Sequence, residues 1–157
     1  MNAEIRSQPG NDLLDAYLAT TYRVILDDGP EDVRIGRTHP GLDRKTSARC
    51  WAIITAFNPG SRRLPDVDNR QRHVRLQNRV EVAGLGCWST RHIAADGRWP
   101  EEEGLLLADV DDQWLHEQAR EFGQLGVIHG HRRAPAELWL YADVSPRSDH
   151  PHVKVVH

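Results

Sequence analysis

The sequence has 157 residues, enough for one domain with an ordinary core; 39% are hydrophobic and 27% charged, which argues against a disordered chain or a miniprotein that needs disulfide or metal staples. A formal charge of -3 and a pI near 6.3 argue against a nucleic-acid binder that relies on a global positive field. The first twelve residues lack the apolar stretch of a signal peptide, and no apolar run approaches the roughly 20 residues of a membrane span, so a cytoplasmic protein with no membrane partner is expected.

Residues 1–12 are polar, contain Pro9-Gly10 and read as a peripheral lead-in. Asp12 can cap a short helix through Leu13, Leu14, Ala16, Tyr17 and Leu18. Residues 20–26 are β-branched and aromatic and predict a strand. The Asp27-Asp28-Gly29-Pro30 turn and the alternation at Val33-Arg34-Ile35 then predict a hairpin. Residues 38–49 are polar and irregular. Residues 51–57 show no polar alternation and predict a central strand buried on both faces, ended by Asn58-Pro59-Gly60-Ser61.

A helix capped by Asp66 or Asp68 is expected to run to about Ala83, with Val67, Leu76, Val80 and Ala83 in its buried stripe and Gly84 closing it. Residues 87–94 predict a weaker strand, and residues 105–110 an apolar one that follows Trp99-Pro100 and three glutamates. A second helix, capped by Asp111 or Asp112, carries Trp114, Leu115, Ala119 and Phe122 and stops at Gly123. Residues 125–129 and 137–142 predict strands, and the tail 145–157 is polar and peripheral. Cys50 and Cys87 form no C-x-x-C pair and read as buried small side chains.

This order predicts an α+β domain over residues 1–157: a mixed β-sheet with helices mainly on one face. It has a ferredoxin-like β-α-β-β-α-β core preceded by the N-terminal hairpin.

The segment Ile54-Thr55-Ala56-Phe57-Asn58-Pro59-Gly60-Ser61 resembles the DUF3293 family of bacterial proteins. Asn69, Leu76, Trp99-Pro100-Glu101-Glu102, Leu105-Leu106-Leu107, Phe122-Gly123-Gln124 and Glu137-Leu138 follow in the family's order. The resemblance spans roughly residues 17–140 and implies a small bacterial fold; it implies no activity, because the family has none assigned.

The loop from Asn58 to Arg63 is the first candidate site, since ligands of open α/β sheets bind at strand ends. Asn58 offers an amide and Ser61 a hydroxyl, and the following helix points its N-terminus nearby. The alternative is a plain turn in which Asn58 satisfies backbone groups. Six arginines against two aspartates make residues 61–80 locally basic, and guanidinium groups suit phosphates and carboxylates. A solvated helix face is the competing reading. Glu101, Glu102 and Glu103, after Trp99-Pro100, read either as a charged strand lead-in that pairs with the arginines or as the source of a general base; in a catalytic site Glu102 is the expected base, Asn58 the orienting group and water the nucleophile. Gln124 can hydrogen-bond at the sheet edge or cap its helix. The pairs His129/His131 and His150/His152 do not complete a recognised metal set, so no metal is expected, and any cofactor is unknown.

The expectation is thus a small anionic, nucleotide-like ligand. Asn58, Ser61, Asn69 and Gln124 would orient it, and Arg62, Arg63 or Arg72 would neutralise it. Nucleic-acid contact through the arginine-bearing helix is a second reading. There Asn58-Pro59-Gly60 also resembles the water-positioning loop of uracil and thymine DNA glycosylases, and residues 144–148 their second loop. A protein-interaction role for five tryptophans is the third.

Overall fold

A computed structural model describes residues 9–141 and 150–157, with side chains from Asp12 onward. The expected lead-in before Pro9, part of the tail and the segment 144–148 lie outside the described residues. Along the chain run α1 (Pro9–Ala19), β1 (Thr21–Leu26), β2 (Gly29–Val33), α2 (Pro40–Thr46), β3 (Cys50–Thr55), α3 (Asp66–Val82), β4 (Cys87–Ile93), β5 (Glu102–Ala108), α4 (Asp112–Glu121), β6 (Gly126–His131), β7 (Glu137–Tyr141) and β8 (Val153–Val156). The eight strands form one sheet in the order β2-β1-β4-β5-β3-β6-β7-β8. Every neighbouring pair is antiparallel except β7 with β8, so the sheet is mixed and the protein α+β. The order β-α-β-β-α-β is present from β3 to β6, and its four strands stand side by side as β4-β5-β3-β6.

Strand alternation divides the core in two. Trp51 and Ile53 of β3 pack with Val24, Leu106, Ile128 and Leu138 on the face covered by α1 and α2. Ala52 and Ile54 pack with Leu76, Val80, Leu115 and Phe122 on the face covered by α3 and α4. Burying β3 on both faces explains its unbroken apolar run. Asp111 caps α4 by accepting a hydrogen bond from the Trp114 backbone nitrogen (3.1 Å).

Five expectations change. Residues 40–46 form α2, which contributes buried Leu42 to the core. Its single buried apolar residue leaves no periodicity to read. The buried stripe of α3 runs through Asn69, His73, Leu76 and Val80, whereas Val67 and Ala83 are exposed; the first turn of the stripe is polar because Asn69 serves the loop before the helix. The hairpin turns on Asp27-Asp28, so Pro30 lies inside β2, an edge strand where a missing N–H is tolerated. Cys87 is exposed. Part of the tail, Val153–Val156, adds β8 beside β7.

On the α3–α4 face His129 is only 1% exposed and stacks on Trp139 at 3.9 Å between ring centroids. Burial, helped by His131, lowers its pKa to about 4, and burial lowers that of His92 to about 3. Their unfolded values lie near 6.5, so between those limits the unfolded chain binds more protons than the folded one. Their contribution is therefore complete above pH 6.5 and lost as pH falls toward 4 and then 3. Each unit of depression corresponds to about 1.4 kcal/mol. The melting temperature is expected to drop across that window, and more shallowly in His129→Phe. A level profile would mean that neither imidazole is shielded in the folded protein.

Candidate functional site

A cavity of about 850 Å³ lies between α1 and the sheet. Leu13 and Tyr17 of α1 line one side; Tyr22, Ile53 and His92 line the sheet side; and Phe57 and Asn58 enter from the end of β3. Tyr22, His92 and Glu102 occupy one row across β1, β4 and β5, because Tyr22 pairs with His92 and His92 with Glu102 in register. The rings of Tyr22 and His92 meet edge to face at 5.0 Å. Gly104, two residues beyond Glu102, leaves room for the His92 ring.

The strand β5 begins earlier than its apolar run, and this decides where the glutamates point. Glu102 faces the cavity, whereas Glu103 faces α3, where Arg70 Nη1 and His73 Nε2 lie 3.5 and 3.8 Å from its carboxylate. Asn58 Nδ2 (2.6 Å) and Trp99 Nε1 (3.0 Å) both donate to Glu102 Oε2. Glu102 Oε1 has no protein partner among the described residues. Burial raises the Glu102 pKa above the usual carboxylate value, against the lowering effect of these two donors. Such a carboxyl can accept a hydrogen bond or a proton from a group beside it.

Asn58 adopts a left-handed conformation (φ 48°), which asparagine tolerates better than most residues. Its Oδ1 accepts from the Leu64 backbone nitrogen (2.8 Å) and from Asn69 Nδ2 (2.9 Å), and its own backbone nitrogen donates to Asn69 Oδ1 (2.9 Å). Gln124 Nε2 donates to the carbonyls of Phe57 (2.9 Å) and Phe122 (3.3 Å). Two carbonyl acceptors fix the orientation of that amide, so its Oε1 is the atom left open. Gly60 N donates to the Gly123 carbonyl at 2.7 Å, and Arg72 clasps the carbonyls of Ala56 and Phe122. The loop after β3 and the segment Phe122-Gly123-Gln124 are thus joined directly.

The structure brings Asn58, Ser61, Glu102 and Gln124 to one cavity. Asn69 stands one layer behind, bonded to Asn58. Arg62 and Arg63 are exposed and do not line the cavity, and Arg72 is committed to two carbonyls on the α3–α4 face. The expected neutralising role of these arginines is therefore corrected: a local count of charge does not say where guanidinium groups point. Aspartates Asp12, Asp15 and Asp96 lie on the cavity lining instead, with Arg98 as its guanidinium. Sequence reasoning missed Tyr17, Tyr22 and His92. No motif marks them, since strands β1 and β4, far apart in sequence, become neighbours only in the sheet. Among the described residues no group of three or more potential ligands could hold a metal ion, and no helix is long and apolar enough to cross a membrane.

Fold and site define a small α+β protein with a deep cavity on one face of its sheet and open acceptor oxygens at the buried end. Residues 54–127 match the family model described as "Protein of unknown function (DUF3293)", which bears out the family resemblance of the sequence. The matched segment holds Asn58, Asn69, Glu102 and Gln124, while the α1 and β1 walls precede it. No curated protein and no solved structure matches the chain.

Proposed function

We propose that this protein binds a small organic molecule in the cavity beneath α1. The apolar body of the ligand lies against Leu13, Ile53 and Phe57, and a hydrogen-bond donor on it meets Glu102 and Gln124. The observation that carries this reading is the pair of open oxygens, Glu102 Oε1 and Gln124 Oε1, in a cavity otherwise walled largely by apolar and aromatic side chains. Small-molecule sites have this composition: a concave apolar lining with a few placed polar groups.

The arginine-bearing helix gives less support to nucleic-acid contact. Arg70 pairs with Glu103, Arg79 with Glu121, and Arg72 with backbone carbonyls. The guanidinium groups of Arg72, Arg75 and Arg79 lie over the Phe122 ring at 5.2–5.7 Å. An interaction surface built on tryptophan gains little either, since Trp51 and Trp139 are buried and Trp88, Trp99 and Trp114 partly so.

The test is a thermal-shift screen with neutral, amine-bearing and acidic organic compounds, run beside Ala16→Trp. Ala16 is exposed on α1 at the cavity lining, so the large ring blocks the space without entering the core. A ligand at 100 times its dissociation constant is expected to stabilise the native protein by about 2.7 kcal/mol. That shift is expected to vanish in the variant. A panel without a hit, or hits that survive Ala16→Trp, would overturn the proposal.

A further inference from the structure

We infer that the cavity selects an organic ammonium ion, a molecule with an apolar body and a protonated amine as its head; this rests on the reading of the cavity as a small-molecule site. Asp12 and Asp15 on α1, Asp96 on the turn before β5, and Glu102 at the inner end all line the cavity, against the single guanidinium of Arg98. None of the three aspartates has a cationic side-chain partner among the described residues. The lining therefore attracts a cation along the whole approach.

The hydrogen-bonding inventory at the inner end agrees. Asn58 Nδ2 and Trp99 Nε1 are turned to Glu102 Oε2, and Gln124 Nε2 to two carbonyls. An incoming carboxylate or phosphate would meet open acceptors where it needs donors. An ammonium group carries up to three donors and can reach Glu102 Oε1 and Gln124 Oε1 together. The bond to Glu102 is charge-assisted and shielded from bulk water. Tyr17, Tyr22 and Trp99 add aromatic rings to the lining, a residue type whose faces attract cations through their quadrupoles.

The experiment compares matched heads on two bodies: benzylamine, benzyl alcohol and benzoate, and hexylamine, hexanol and hexanoate. Each is titrated calorimetrically near neutral pH into the wild-type protein and Glu102→Gln. Each amine is expected to bind about tenfold or more tightly than its alcohol, with weaker or no binding of the carboxylate. In Glu102→Gln the amine is expected to lose most of that margin while the alcohol still binds, and alcohol binding certifies that the variant cavity is intact. If an alcohol or carboxylate matches its amine, or if Glu102→Gln keeps the amine preference, the ammonium inference falls while the small-molecule site stands. If no head binds on either body, both fall.

Discussion

An Asn58→Ala protein is expected to be less stable than the wild type by roughly 3–5 kcal/mol, since each buried polar group left without its partner costs about 1–3 kcal/mol. The substitution leaves the Leu64 backbone nitrogen without its partner and takes one of two partners each from Asn69 Nδ2, which keeps the Leu64 carbonyl, and from Glu102 Oε2, which keeps Trp99 Nε1. It also places alanine at a left-handed φ of 48°, which adds about 1–2 kcal/mol for a residue without a polar side chain to bond locally. Asn58 is 5% exposed, so water cannot readily replace all three bonds. Urea unfolding monitored by tryptophan fluorescence measures the difference. A loss under about 1 kcal/mol would mean that the loop holds its shape without this side chain.

Gly104→Ala is expected to cost roughly 3 kcal/mol, at the upper end of the range for forcing a methyl group into a packed interior. A Cβ at this position would stand 2.6 Å from the Ile54 carbonyl oxygen and 2.7 Å from His92 Nε2. The first neighbour belongs to the backbone of β3, paired with β5 in the middle of the sheet, and cannot swing aside. The second can move only out of the space it shares with Thr90, to which it is bonded at 2.9 Å, toward the cavity. Denaturant unfolding is expected to show the loss, and ligands that shift the wild-type protein are expected to bind the variant more weakly. Near-wild-type stability would mean that the ring does not rest over Gly104.

Much of this architecture is legible in the chain itself. The apolar run before Asn58-Pro59-Gly60-Ser61 identifies the central strand and its end, and Asp111 and Gly123 bracket α4. The strand-end loop, Glu102 and Gln124 come together at one cavity. Other features depend on tertiary neighbours. The α2 segment has one apolar anchor, Leu42, and leaves no periodic trace. Arg72 looks like a free cation until the carbonyls of Ala56 and Phe122 are placed beside it. Glu102 and Glu103 are indistinguishable in sequence, and the one-residue alternation of β5 sends them to opposite faces. The charge of the cavity reverses expectation for the same reason: its aspartates come from α1 and the β4–β5 turn, outside the window where arginines are counted.

The loop from Ala56 to Leu64 is fastened from three directions, by Asn69 and Arg72 of α3 and by Gln124 after α4. Its backbone groups are occupied before anything enters the cavity, and Glu102 is held by the same set of bonds. The conformational entropy of ordering this end of the site is thus spent in folding, and none of it falls due on association. A ligand of the proposed kind would meet oxygen positions fixed before it arrives, so its affinity would depend on the match of its own shape and head to them.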